Sequence, residues 1–109
     1  MSNFESIDRE ALTDVFGGWS AAMNRAIHRA HDLGLRVTST TGGRHAPHSY
    51  HYRGRAIDFA GSASAMRQFY RDMARTHPTE LFYDPMGGIK HGRSIGAIGG
   101  HRNHVHVAY

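Results

Sequence analysis

In the last six residues, His104-Val105-His106-Val107-Ala108-Tyr109, two histidines alternate with two valines. Successive side chains of an extended strand point to opposite faces. Val105, Val107 and Tyr109 therefore share one face, and His104 and His106 share the other. A sheet built on this strand must bury its valine face against something apolar and carry two adjacent imidazoles on its reverse. With 109 residues, the chain is expected to meet that demand within one compact domain, 1–109.

The apolar cover is legible as helices. Trp19, Ala22, Met23, Ala26, Ile27, Ala30 and Leu33 recur at the i, i+3, i+4, i+7 spacing of a core-facing stripe, with Gly34 as a C-cap. A second stripe, Met66, Phe69, Tyr70 and Met73, follows Ser62 as N-cap and stops at His77-Pro78. A third, short amphipathic helix is expected over Phe4–Phe16, ended by Gly17-Gly18. His28 and His31 sit off or at the margin of the 19–33 stripe and read as solvated helix residues. Strands are expected at Leu35–Thr40, Ala56–Ala60, Glu80–Tyr83 and Asn103–Tyr109, with loops over Thr41–Ser49 and Asp84–Arg102. Helices and strands mix without βαβ order. The expected fold is α+β, a small, mainly antiparallel sheet packed with about three helices.

The polar face limits the chemistry. There are no cysteines, so thiolate metal sites, cysteine nucleophiles and disulfides are all excluded. There are ten histidines. Any metal here must be held by His, Asp or Glu. His-x-His on one strand face suits a divalent metal, or one ligand beside one base. Asp58 lies in Ala56-Ile57-Asp58-Phe59-Ala60, where Ile57 and Phe59 face the core and the carboxylate faces the other way. A carboxylate in an apolar strand is costly unless it is paired or bound to metal. His51 stands at the mouth of that strand. His51, Asp58 and one closing-strand imidazole would form a three-ligand zinc set with a fourth position open to water. The plainer alternative pairs Asp58 with Arg53 or Arg55 and leaves His51 on the surface.

The segment Ser49-Tyr50-His51-Tyr52-Arg53-Gly54-Arg55-Ala56-Ile57-Asp58 has the pattern Ser-x-His-x-x-Gly-x-Ala-x-Asp. It resembles the first metal motif of the zinc D-alanyl-D-alanine and L-alanyl-D-glutamate peptidoglycan peptidases, which share the hedgehog/DD-peptidase fold and include many phage enzymes. Val37–Gly43 and Gly99-Gly100-His101 also resemble phage-type members, so the likeness spans roughly residues 35 to 109. It implies one zinc ion held by His51, Asp58 and His106. The family's second motif, Asp/Glu-x-x-His, supplies an acid as general base. Here Asn103-His104-Val105-His106 puts an amide at the acid's place. Two readings follow. Either His104 takes over as base, its ordinary pKa of about 6.5 suiting the task, or the domain binds zinc and wall without cutting. Arg44, just before the first motif, is the candidate for a substrate carboxylate or oxyanion. Lys90, Arg93 and Arg102 border the same region in sequence.

The resemblance thus implies a metallopeptidase acting on stem peptides of bacterial peptidoglycan, an endolysin or virion-associated lysin. It is expected to bind peptidoglycan stem peptide, with no nucleic acid partner and no membrane insertion. The start, Met-Ser-Asn-Phe-Glu-Ser, has neither the basic nor the apolar region of a signal peptide, so synthesis in the cytoplasm and action at the wall are expected. The net charge of +4 suits an anionic wall but also general solubility. A metal-dependent nuclease is the third reading. Such enzymes place a metal-binding histidine on a helix after a hairpin, whereas three residues follow His106 here.

Overall fold

The computed structural model describes residues 19–40 and 55–109. The helix expected over Phe4–Phe16 and the loop over Thr41–Ser49 lie outside the described residues. Within them are two helices, α1 (Ala21–Asp32) and α2 (Ala63–Ala74). Six strands complete the fold: β1 (Arg36–Ser39), β2 (Ala56–Ala60), β3 (Glu80–Tyr83), β4 (Gly87–Lys90), β5 (Arg93–Ile95) and β6 (Val105–Ala108). The strands form one sheet in the order β1-β2-β6-β3-β4-β5, with every neighbouring pair antiparallel. The fold is α+β.

Both helices begin where the sequence supplies a serine. Ser20 Oγ accepts from the Met23 amide and Ser62 Oγ from the Ala65 amide, each at 3.1 Å, satisfying an amide that the helix cannot. Gly34 ends α1 at φ 79°, a left-handed position that costs glycine nothing. The expected stripes are the buried ones: Met23, Ala26, Ile27 and Ala30 on α1, and Met66, Phe69, Tyr70 and Met73 on α2. They pack on Ile57, Phe59, Leu81, Val105 and Val107 from the sheet. Burying each large apolar side chain is worth about 1.5–3 kcal/mol. The Arg29 guanidinium meets Asp72 at 2.7 Å and ties α1 to α2.

Two expectations need correction. The stretch 84–102 is not one loop, because it contains the β4–β5 hairpin. The turn is His91-Gly92 at φ 50° and 81°, the two left-handed residues that a two-residue hairpin favours. The strand went unseen because Gly87 and Gly88 break the alternation. Gly88 is small for a steric reason. A Cβ there would stand 3.0 Å from Phe82 Cδ1 and 3.2 Å from Ile95 Cγ1. The second correction is that the closing strand starts at Val105, not Asn103, so His104 sits just before it. Among the described residues no helix is long and apolar enough to cross a membrane.

Candidate metal centre

With the helices on one face of the sheet, the polar positions of three adjacent strands are left on the other. In register, Asp58 of β2 lies opposite His106 of β6, and His106 lies opposite Phe82 of β3. Glu80 is two residues from Phe82 and so shares its face. Asp58, His106, Phe82 and Glu80 thus form one patch, opposite to Ile57, Val105, Val107 and Leu81 in the core.

The central ring is His106, which is 5% exposed, too little for water to serve both nitrogens. Nε2 lies 2.8 Å from Glu80 Oε1, and Nδ1 lies 3.0 Å from Asp58 Oδ1. Carboxylate oxygens only accept, so a neutral ring can donate to one of the two, and with its proton on Nε2, the shorter contact, it donates to Glu80. Nδ1 then faces an anionic oxygen. If the ring is neutral, two lone pairs oppose each other at 3.0 Å, an arrangement that needs a cation between them. That cation is either a proton on Nδ1 or a metal ion. Burial alone would push the His106 pKa down, but hydrogen bonds to Asp58 and Glu80 outweigh it and hold the pKa above its usual value. Burial likewise would raise the Glu80 pKa, but the bond from His106 and the charges of His106, Lys90 and His91 hold it below the usual range.

His104 stands beside this pair. Its Nδ1 is 2.9 Å from Asn103 Oδ1. An amide oxygen accepts, so Nδ1 carries the proton and Nε2 presents the lone pair in the neutral ring. Nε2 is the atom that faces the site, 3.8 Å from Asp58 Oδ2. An amide at 103 therefore has a use that an acid-base reading of the sequence misses. It fixes the tautomer of the neighbouring imidazole, as the third member of a catalytic triad does.

Phe82 stacks on His106 with centroids 5.1 Å apart and 13° between planes. His101 packs edge-on to Phe82 at 5.3 Å and lies 5.0 Å from the His104 ring. Asp84 organises the loop that brings His101 in, accepting the amides of His101 at 3.0 Å and Gly99 at 3.2 Å. Those amides, His101's first, hold the Asp84 carboxyl below its usual range.

Of the residues expected from sequence, Asp58, His104, His106 and Asn103 come together here. His51 and Arg44 lie outside the described residues. Among the described residues, no three His, Asp or Glu side chains form a metal-holding group, so the expected zinc set depends on His51. His28 and His31 belong to the helix layer, across the sheet from His106, with His31 exposed. Lys90, Arg93 and Arg102 are exposed. Sequence reasoning missed Glu80, His101 and Asp84. Glu80 was findable. It alternates with Leu81 in an apolar strand, the same signal that marked Asp58. His101 and Asp84 are joined only by loop geometry, which has no period to read. A separate concavity of about 300 Å³ lies at the end of α2, lined by residues that include His77, Thr79, Ile89 and His91. Comparison with family models, curated proteins and solved structures gives no match to this chain.

Proposed function

We propose that this chain is a zinc peptidase that hydrolyses a peptide bond in the stem peptides of bacterial peptidoglycan, with His51, Asp58 and His106 as the metal ligands. One observation carries the reading. The His106 ring is held between two carboxylates, Nε2 at 2.8 Å from Glu80 and Nδ1 at 3.0 Å from Asp58. A carboxylate–histidine pair aimed at a third group is how proteins orient imidazole ligands for a metal. The nitrogen and oxygen donors suit zinc. The Ser49–Asp58 pattern, with His51 seven residues before Asp58, supports a peptidoglycan peptidase over other zinc hydrolases. The finer hedgehog/DD-peptidase assignment of the fold belongs to the same proposal.

Zinc, when bound, supplies Lewis acidity that polarises a carbonyl and makes water acidic near neutral pH. The chain's own residues do the rest. Glu80 fixes the His106 ring. Asn103 holds His104 with its Nε2 lone pair toward the site, where His104 takes up a proton during attack. Arg44 meets a substrate carboxylate or the developing oxyanion. The place of action is the bacterial wall, reached by phage release or from a virion.

A second reading has its own support. A proton on Nδ1 also satisfies the Asp58–His106–Glu80 row, which would then be a buried ion triad in a wall-binding module without catalysis. Metal analysis separates the two. The peptidase reading predicts about one zinc per chain after refolding with zinc. Asp58→Ala and His106→Ala should lose the metal and melt at lower temperature, because the ion binds the folded state. A wild type that retains no zinc refutes the reading. Nicking of plasmid DNA in a parallel assay, with peptidoglycan untouched, would move the function to nucleic acid.

A further inference from the structure

Three imidazoles meet on the polar face of the sheet, and the proposed function uses only His104 and His106. The third, His101, is half-buried, with its ring 5.0 Å from that of His104 and 5.7 Å from that of His106. A ring among rings can be packing alone, but its hydrogen bonding goes further. Nδ1 lies 2.8 Å from the Gly99 carbonyl oxygen, which only accepts. Nδ1 therefore carries the proton, and Nε2 of the neutral ring is an acceptor. Among the described residues Nε2 has no hydrogen-bond partner. Two other acceptors of the cluster are engaged by His106, and a third, His104 Nε2, is the proposed base. Asp58 Oδ1 lies 3.0 Å from His106 Nδ1 and Glu80 Oε1 2.8 Å from His106 Nε2.

The backbone that carries this ring is built round one carboxylate. Asp84 accepts the amides of Gly99 and His101, and its own amide donates to the His101 carbonyl at 2.8 Å. Gly99 and Gly100, at φ 89° and 75°, let the chain curl round the anion as L-residues rarely can. Both sides of the His101 peptide are thus held by one residue at the end of β3.

We infer that His101 is a further substrate-contacting residue of this site, its Nε2 accepting an N–H of the bound peptide, and that Asp84 is the residue that positions it. The inference rests on the peptidase reading. A peptide substrate brings N–H donors on both sides of the bond to be cut, and His101 offers an acceptor beside the proposed base.

The test is steady-state cleavage of soluble stem-peptide fragments, released from purified peptidoglycan by a muramidase, using the zinc-loaded full chain. His101→Phe keeps an aromatic ring against Phe82 and removes the acceptor. It should raise KM about tenfold and leave kcat within about threefold, as loss of one binding hydrogen bond does. His101→Gln restores an acceptor near the Nε2 position and should recover most of that loss. Asp84→Asn should raise KM in the same direction. The double variant Asp84→Asn/His101→Phe should be no worse than His101→Phe alone, within about twofold, because Asp84 acts through His101. Zinc content should be unchanged throughout. An unaltered KM in His101→Phe, multiplying effects in the double variant, or loss of zinc from His101→Phe each overturns the inference while leaving the peptidase reading intact. A wild type that binds zinc but cleaves no stem peptide overturns both.

Discussion

At the scale of single residues, the chemistry of this face depends on which nitrogen of each histidine holds the proton. Glu80 and Asp58 compete for the proton of His106, and Asn103 holds that of His104. If His104 is the base, His104→Ala should lower turnover by about two to four orders of magnitude. Zinc should remain, since His104 is not among the proposed ligands. Asn103→Asp keeps an oxygen for the His104 Nδ1 proton, so it should retain activity, and more of it at mildly acidic pH, where a carboxylate still accepts protons. Asn103→Ala removes the oxygen and should fall toward the His104→Ala rate. Stopped or continuous assays of peptide release, with metal content measured at each pH, decide the matter. A His104→Ala variant that keeps both zinc and rate would show that the base lies elsewhere. Asp58 and the His-x-His were legible in the sequence because strand alternation separates a polar side chain from apolar neighbours. The purpose of Asn103 was not, because a tautomer is set by a contact between side chains and not by residue type.

At the scale of elements, local signals were strong where capping and period agreed. Ser62 followed by the Met66–Met73 stripe fixed α2, and Ser62→Ala should cost about 1 kcal/mol while Ser62→Asp restores most of it. Denaturant titration measures both, and no loss in Ser62→Ala would mean the 3.1 Å contact to Ala65 adds nothing. The β4–β5 hairpin was illegible for the opposite reason. Its residues, Gly87-Gly88-Ile89-Lys90, carry too little side chain to show a period, and its turn uses His91 where Asn is the usual signal. The Arg29–Asp72 pair between α1 and α2 gives a pH test away from the site. Burial alone would raise the Asp72 pKa, but hydrogen bonds from Arg29 and Gln68 outweigh it and leave the pKa lowered. A lowered folded-state pKa adds stability above the unfolded value, about 3.9 for Asp, and loses it as pH falls through the folded value. Asp72→Asn should therefore be less stable than wild type near neutrality, by no more than about 1 kcal/mol for a partly exposed pair. The gap should close in acid. A gap that widens on acidification would reverse the assignment.

For the molecule as a whole, one geometric division organises everything. The helices cover the valine face of the sheet, and the reverse face gathers Asp58, Glu80, His101, His104 and His106, with Phe82 against the His101 and His106 rings. The division was implicit in the alternation of the closing residues, whereas the convergence of five polar side chains from three strands and one connecting segment was not. Such convergence depends on strand order, and nothing in a linear pattern states that β6 lies between β2 and β3. The central claim is that this face cuts peptide bonds in the bacterial wall. The most direct measurement is mass spectrometry of muropeptides after purified peptidoglycan is incubated with the zinc-loaded chain. The account predicts new free amino groups within the stem peptides and intact glycan strands, with the activity lost on chelation and restored by zinc. New reducing sugar ends without new amino groups, or no new termini at all, would contradict it.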